Sequence, residues 1–278
     1  MLTMRTRRSL PARPISARRM RYAAPALEKG LDILELLASV SEALTHSEIA
    51  ARLGRTINEV FRMLVCLEER GYISRSGPDE RYQLTLKLFE VIHKHHPLQL
   101  LITHARPLVR RVAGETGQSC HLAMLNSADV VVVAQFDAPG NTGFSVRLGA
   151  NVDLLNTSSG HVILAFQKDD VRTRALEAWR QRSGRPIPEA IYRHLNQIQR
   201  RGYEELASYQ VHGVVNISYP VLNPHGEAIA AITVPFLARI GDNVGPPQVK
   251  EALSAASHEL SMAIGGKRPL LSAGIAKG

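Results

Sequence analysis

Cysteine is scarce in this chain, and a long uncharged apolar run is absent. Only Cys66 and Cys120 occur among 278 residues, both within apolar patterns, so free thiols in a reducing cytosol are favoured over a disulfide. No stretch of 18 uncharged apolar residues appears, which argues against a transmembrane helix. We therefore expect a cytoplasmic protein that does not partner a membrane.

The usual sequence signatures of catalysis are also absent. There is no glycine-rich phosphate loop, no nucleophile elbow and no zinc-ligand spacing. His93, His95 and His96 cluster, but only residues three or four apart share a helix face, and no carboxylate or cysteine completes a ligand set. A solvated helix end, with Lys94 interleaved, is the preferred interpretation. We expect no enzyme, no cofactor and no metal.

Acidic residues are missing from the first 25 positions, which carry seven arginines. The formal charge is +9 for the whole chain and +2 without those arginines. A disordered arm that contacts DNA phosphates fits this pattern, because such contacts need only positive charge. A mis-assigned start or a solvated tail fits equally well, and an organelle transit peptide remains a weaker alternative.

Two helix-start signatures follow each other between positions 44 and 71. Thr45 with Glu48, and Thr56 with Glu59, each form a capping box, in which side chains satisfy free N–H groups at a helix start. Gly54 ends the first helix (46–53) and Gly71 the second (57–70). A short helix, a tight turn and a longer helix form the unit that places its second helix in the DNA major groove.

The flanking segments extend this unit into a winged domain. Residues 26–39 carry apolar side chains at helical spacing, and 72–75 with 81–84 predict two strands around a turn, which form the wing. Residues 85–95 predict a linker helix that Pro97 stops, followed by a helix over 98–114 that contains Pro107.

The remaining sequence mixes helices with strand hairpins, as in an α+β domain. Its predicted strands cover 119–125, 129–136, 214–222 and 228–236, with a weaker one at 144–148, and its predicted helices cover 158–167, 169–182, 189–202 and 247–264. The expected domains are a basic disordered arm (1–25), a winged helix-turn-helix (26–84), a linker helix (85–97), an effector-binding domain (98–266) and a tail (267–278).

Several segments together resemble the IclR family of bacterial transcription regulators. They are LEKGLDILELLA, LTHSEIAARLG, LEERGYI, ARPLVRRVAGETGQSCHLAML, VRLGANVDLLNTSSGHVILAF and GVVNISYPVLNPHGEAIAAITV. The resemblance covers about 26–265 and implies an N-terminal winged helix-turn-helix, a linker helix and a C-terminal GAF-like effector-binding domain, an antiparallel sheet flanked by helices. It also implies a homodimer or homotetramer that binds a double-stranded DNA operator and responds to a small organic effector.

The DNA-binding candidates lie on the turn, on the exposed face of the second helix and on the wing. They are Arg55, Thr56, Asn58, Glu59 and Arg62, together with Thr45, Arg75 and Arg81. Asn pairs with adenine, Arg with guanine, and Glu accepts from cytosine N4, whereas a helix start and the wing arginines suit phosphates. Each could instead be a solvated surface residue, and Arg62 could pair with Glu59 or Glu69.

The effector-binding candidates are the loop residues Ser158, Ser159 and Gly160 with the strand residues His121, Asn216, Ser218 and Thr233. By resemblance, backbone amides of the loop hold an effector carboxylate and Gly160 permits its close approach. A plain helix cap and an internal hydrogen-bond network are the alternatives, and His121 fits a packed histidine better than a ligand contact. Related proteins often have serine or cysteine where Asn216 stands, so the effector here, a carboxylate or aromatic acid, differs from the best-known ones.

We therefore expect a sequence-specific, effector-responsive transcription regulator. A small-molecule sensor or enzyme domain with a vestigial DNA module is the alternative from another class. A third interpretation is an architectural protein that binds DNA through its basic arm without sequence preference.

Overall fold

The computed structural model describes residues 24–94, 96–140, 143–241 and 243–267. The chain forms two compact units, Met1–His95 and His96–Gly278. The expected basic arm lies outside the described residues except for its last two positions, and all but the first position of the expected tail does too. Among the helices described, none has the length and apolar character needed to cross a bilayer.

The first unit is a winged helix-turn-helix, as predicted. Its elements are α1 Pro25–Ser39, α2 His46–Leu53, α3 Ile57–Glu69, β1 Ile73–Ser76, β2 Arg81–Leu84 and α4 Lys87–His93. Strands β1 and β2 pair antiparallel as the wing. Ile33, Ile49 and Leu64, one from each of the first three helices, are fully buried in a common core, which fixes the angle at which α3 leaves the turn.

Local sequence chemistry determines where α2 and α3 begin and end. Both capping boxes are present, with the Glu48 N–H donating to Thr45 Oγ1 at 3.2 Å and the Glu59 N–H to Thr56 Oγ1 at 3.4 Å. Gly54 has a φ of 61°, the left-handed conformation that ends a helix and favours glycine. The boundaries of the two helices of the helix-turn-helix are therefore set by residues within this segment.

The second unit begins with α5 His96–Thr116. Pro97 was expected to stop the linker helix, but it lies in the first turn of α5 instead, where the missing N–H costs no helical hydrogen bond. Pro107 lies inside the same helix. The expected linker helix therefore ends earlier, at His93.

A six-stranded antiparallel sheet follows, in the order β5-β4-β3-β8-β7-β6. The strands are β3 Cys120–Asn126, β4 Asp129–Phe136, β5 Asn151–Asp153, β6 Glu204–Ala207, β7 Val214–Leu222 and β8 Ala228–Leu237, and the helices are α6 Ser158–Ala165, α7 Asp169–Ser183, α8 Ala190–Arg201 and α9 Pro246–Ala263.

One strand prediction was wrong, and one strand was not predicted. Residues 144–148 are not a strand; the third strand is β5, which pairs with β4 through Val130 and Val152. The four-residue edge strand β6 was missed. It pairs with β7 on one side only, and so short an edge segment carries little alternating pattern.

The two faces of the sheet pack against different helices. Ile217, Tyr219 and Ile232 share a core with residues of α5 and α9. Ala231 and Leu222 share the other core with α6, α7 and α8. Side chains alternate along a strand. The polar side chains of β7 and β8 that alternate with Ile217, Tyr219 and Ile232 therefore point towards α6.

Candidate functional site

The outer face of α3 presents a mixed polar and apolar surface. Asn58 and Arg62 are exposed, and Arg62 has no carboxylate partner among the residues described. Phe61 and Ile57 are 50% and 49% exposed on the same helix. The sequence analysis did not name these two apolar residues, because it looked for polar and charged side chains on the outer face. This face combines a bidentate donor, an amide and a hydrophobic group, which are the side chains used to read base edges.

Arg55 and Glu59, two predicted base contacts, are instead engaged within the protein. A guanidinium nitrogen of Arg55 lies 2.5 Å from Asp32 Oδ2 on α1. Glu59 Oε1 accepts from Lys29 at 2.6 Å, and its Oε2 accepts from the Thr56 backbone N–H at 3.1 Å. A carboxylate with both oxygens occupied has little left to offer cytosine N4. In this structure both residues brace α3 against α1.

The Glu59 pairing has a pH signature. The hydrogen bond from Lys29, followed by those from Thr56, lowers the pKa of Glu59 from 4.5 to about 2. A folded-state pKa below the unfolded value means that the pairing stabilises the fold fully above about pH 4.5 and loses this effect as pH falls towards 2.

We expect Glu59→Gln to lower the stability of the winged unit at pH 7 while keeping the capping box, since Gln also serves there. The difference in thermal midpoint from the parent should shrink steadily as pH falls from about 4.5 to 2. Scanning calorimetry over that range tests this, with Glu35→Gln on the exposed face of α1 as the control. A difference that is independent of pH would contradict the pairing.

The wing arginines and Thr45 are also tied to neighbours. Arg75 lies 3.1 Å from Glu80 and 3.5 Å from Glu68, and Arg81 lies 3.1 Å from Glu48. The Thr45 hydroxyl is used by its capping box. These ion pairs are substantially exposed and worth little, so a phosphate can compete for the arginines.

In the second unit, the predicted effector residues converge at the start of α6. Ser158 Oγ lies 2.7 Å from Ser218 Oγ on β7, which in turn lies 2.7 Å from Thr233 Oγ1 on β8. All three residues are buried. Thr157 caps α6 by accepting from the Gly160 N–H, which leaves the Ser158 and Ser159 N–H groups without an intrahelical acceptor.

Two more predicted residues flank this hydroxyl row. His121 on β3 lies directly opposite Thr233 in the sheet register. Burial lowers the pKa of His121 to about 4, so its ring is neutral at pH 7. Asn216, two residues before Ser218 on β7, is half-buried and lies opposite Pro235. These predicted residues are therefore uncharged and polar, and Asn216 is the most accessible of them; the acidic Glu204 of β6 lies opposite Ser218 in the register.

Gly160 has a structural role that differs from the predicted one. A Cβ at this position would lie 2.1 Å from the Leu154 carbonyl oxygen. The absent side chain therefore makes room for the chain's own backbone, whereas a ligand approach was expected.

Asp153 and Trp179 hold the loop before α6 and were not predicted. Asp153 Oδ1 accepts from the Leu155 and Asn156 N–H groups at 2.9 and 3.0 Å, and the Trp179 indole donates to the same carboxylate at 3.1 Å. The only sign of these contacts in the sequence was an acidic residue before a polar run. These bonds fix the direction in which the first turn of α6 faces the sheet.

Comparison with known proteins gives matches along most of the chain. The bacterial transcriptional regulator IclR C-terminal family matches residues 93–262, and the IclR helix-turn-helix domain matches residues 26–77. The HTH-type transcriptional regulator KdgR of Escherichia coli is 29% identical over 212 residues, which cover 75% of this chain and 80% of that protein. BhcR of Paracoccus denitrificans is 28% identical over 247 residues, covering 87% and 88%.

Among solved structures, an IclR homolog from Microbacterium hydrocarbonoxydans complexed with 4-hydroxybenzoate superposes with a TM-score of 0.70. It is 22% identical, with 86% of this chain and 98% of that chain covered. At this identity the likeness shows the fold. Together with the C-terminal family match, which spans more than half of the sequence, these findings establish that the chain belongs to the IclR family of bacterial transcriptional regulators.

Proposed function

We propose that this protein binds a specific DNA operator through α3 and that a small organic carboxylate acting on the second unit modulates the binding. The observation that carries the proposal is the outer face of α3, where Asn58, Phe61 and Arg62 are exposed on a helix whose start and inner face are fixed. A rigid helix with a readable outer face is what major-groove recognition requires.

The exposed residues divide by the chemistry they offer. Arg62 suits guanine O6 and N7, Asn58 suits adenine N6 and N7, and Phe61 suits the thymine methyl group. The N-terminus of α2 at Thr45 suits a phosphate, as do Arg75 and Arg81 on the wing once they leave their exposed ion pairs. Arg55 and Glu59 act in this scheme by holding α3 in place.

A symmetric oligomer suits a DNA-binding protein of this kind, because two winged domains can bind two DNA half-sites. Large apolar side chains are exposed on the first unit, with Leu27 at 63% and Leu31 at 47% on α1, and Leu86 at 75% and Ile92 at 52% at α4. Exposed apolar groups of this size favour burial against a second copy. We therefore expect a homodimer or homotetramer in a cytoplasmic setting.

Competition with random DNA tests sequence-specific binding. Fragments selected from genomic DNA by the purified protein should retain it at physiological salt against roughly a thousandfold excess of random duplex. Binding that random DNA displaces in proportion to its concentration would point to an architectural protein and contradict the proposal.

The effector site is proposed at the start of α6. Its free Ser158 and Ser159 N–H groups and the adjacent hydroxyl row can hold a carboxylate, and the helix dipole favours the negative charge. Buried, neutral His121 and partly accessible Asn216 would contact the rest of an organic acid. The solved neighbour with bound 4-hydroxybenzoate, itself an aromatic carboxylate, supports this chemical class.

Asn216→Ala should weaken the response to the acid that releases or strengthens DNA binding, by roughly 5–30-fold in the concentration needed, if Asn216 gives it one or two hydrogen bonds. DNA affinity without the acid should not change, because Asn216 lies in the second unit and is half-buried. A titration of operator binding with a panel of aliphatic and aromatic carboxylates measures both quantities.

Asn196→Ala, the same change on the exposed surface of α8, is the matched control. If Asn216→Ala responds like the parent, the proposed effector site is wrong and the other face of the sheet is the next candidate. There an open groove of about 650 Å³ is lined by Arg106, Arg110 and Phe136 among others, and it too can attract an anion.

A further inference from the structure

Two histidines and a glutamate meet where α6, α8 and β6 come together. His161 lies one turn after Ser158 on α6, His194 lies on α8, and Glu204 begins β6. One ring nitrogen of each histidine and one carboxylate oxygen all lie within 4.8 Å of one another. The DNA-binding and effector proposals use none of these three residues.

The hydrogen bonding of His161 leaves a lone pair inside this cluster. Its Nε2 lies 2.9 Å from the Leu155 carbonyl oxygen. A carbonyl only accepts, so Nε2 carries the proton and, in the neutral ring, Nδ1 is an acceptor. His161 is 6% exposed, and its Nδ1 is buried without a hydrogen-bond partner among the residues that the structure describes.

That nitrogen faces another acceptor. His161 Nδ1 lies 3.5 Å from Glu204 Oε2, a distance well beyond the 2.7–2.9 Å or so of a charge-assisted N–H···O bond. A lone pair directed at a carboxylate in a buried site costs free energy unless a positive centre lies between them. A metal ion bound between the two atoms would supply such a positive centre.

Glu204 is arranged to offer one oxygen to the two rings. It is fully buried, and its Oε1 is held by Arg201 and by the Glu205 N–H. Its Oε2 accepts a hydrogen bond from His194 Nε2 and lies 3.5 Å from His161 Nδ1. Burial alone would raise the pKa of Glu204, but the charge of Arg201 and the hydrogen bond from the Glu205 backbone N–H hold it below its ordinary value. The carboxylate is therefore ionised at pH 7.

His194 gives the cluster an opening to solvent. Its side chain is 32% exposed, whereas those of the other two residues are 8% and 1% exposed. Its ring meets the His161 ring edge-on, with centroids 5.0 Å apart. An ion can enter past His194, and water can occupy a further coordination position on that side.

We propose that His161 Nδ1, His194 Nε2 and Glu204 Oε2 bind a divalent transition-metal ion, with Zn²⁺ the best match. Two imidazoles, a carboxylate and an open position form a known zinc ligand set. Ligand atoms about 2.0–2.1 Å from a tetrahedral ion lie roughly 3.3 Å apart, close to the 3.5 Å between His161 and Glu204.

The surroundings of the cluster match those of metal ligands. The Nε2–H of His161 donates to a backbone carbonyl and the second oxygen of Glu204 is hydrogen-bonded, which are the outer contacts that orient ligands. To bind the ion, His194 has to break its hydrogen bond to Glu204, release the Nε2 proton and move away from the carboxylate. The ion would tie α6 to α8 and β6, and so steady the turn that carries Ser158.

Metal titration of the full-length protein tests the site. After chelator treatment and dialysis, calorimetry should detect one Zn²⁺ per chain, bound at least about tenfold more weakly by His194→Gln. Co²⁺ should give the intense visible bands of a tetrahedral ion. At a hundredfold excess over Kd, Zn²⁺ should raise the melting temperature of the second unit by about 5–10 °C, whereas Mg²⁺ should not.

His225→Gln, the same substitution at an exposed turn, is the matched control and should bind Zn²⁺ like the parent. His194→Gln should weaken the site at least about tenfold, and its partial exposure lets it keep the fold, which circular dichroism checks. Equal binding by the parent and His194→Gln, or no binding by the parent, would overturn the proposal. Because no DNA or organic acid is present, failure here is separate from failure of the regulator function.

Discussion

Gly160→Ala is expected to unfold the second unit or to lower its stability by about 3 kcal/mol or more, at the upper end of overpacking costs. The added Cβ would lie 2.1 Å from the Leu154 oxygen and 2.8 Å from the Leu154 carbonyl carbon. These are backbone atoms, so rotation of a side chain cannot relieve the clash. All eight residues of α6 are buried, and the helix has nowhere to move without breaking its contacts with β7 and β8.

The measurement is the thermal or urea midpoint of the second unit, for which the single tryptophan, Trp179, is a fluorescence probe because it packs beside α6. A cost of 3 kcal/mol corresponds to a fall of roughly 6–12 °C for a unit of this size. The hydroxyl contact between Ser158 and Ser218 would be lost as α6 shifts. Effector binding at this site should therefore fail even where some folded protein remains.

Gly114→Ala is the matched control, because it adds the same methyl group in the exposed part of helix α5. A Cβ there meets nothing within 4 Å, and alanine in a helix interior is favoured over glycine by about 0.5–1 kcal/mol. We expect a small gain in stability. If Gly160→Ala is as stable as Gly114→Ala, then the close approach of α6 to Leu154 is not a feature of the folded protein.

The first unit was predictable because local signals determine it. The boxes at Thr45 and Thr56 fix two helix starts within four residues each, and helical spacing identifies inward residues such as Ile49 and Leu64. Alternation along β7 likewise placed Asn216 and Ser218 on one face. Such signals act over a few residues, so a single sequence is enough to read them.

The roles of individual site residues depended on partners that are distant in the sequence. Glu59 meets Lys29 thirty positions earlier, and Gly160 meets the backbone of Leu154 across a folded loop. The cluster of His161, His194 and Glu204 spans more than forty positions. Each histidine alone fits a packed or solvated residue, and only the fold brings the three together.

Phe61 is a candidate contact residue that the sequence analysis did not name. The core-facing stripe of α3 is filled by Val60 and Leu64, which are 1% and 0% exposed. Phe61 and its neighbour Arg62 are left outside. Counting how many apolar residues one helix face can accommodate would have identified Phe61 from the sequence.

Arg62→Ala is expected to weaken binding to the true operator by roughly 5–150-fold, which corresponds to about 1–3 kcal/mol for a lost bidentate contact to guanine. Arg62 is exposed on the outer face of α3, and the Glu59 carboxylate that could have paired with it is held by Lys29 and Thr56. With no carboxylate partner in the described part of the chain, its guanidinium can meet a base. Random duplex should lose much less affinity, since it offers that side chain no fixed base edge.

The measurement is a binding titration on the operator and on its variants at one salt concentration, because affinities for DNA depend steeply on salt. Parental protein should discriminate against a changed base pair at one operator position, and Arg62→Ala should bind both versions about equally. Arg174→Ala removes the same charge from the surface of α7 in the second unit and should leave both affinities unchanged. An Arg62→Ala variant with full operator affinity would remove this residue from the interface. A uniform loss on every sequence would instead assign it to a phosphate, and base reading would then rest on Asn58 and Phe61.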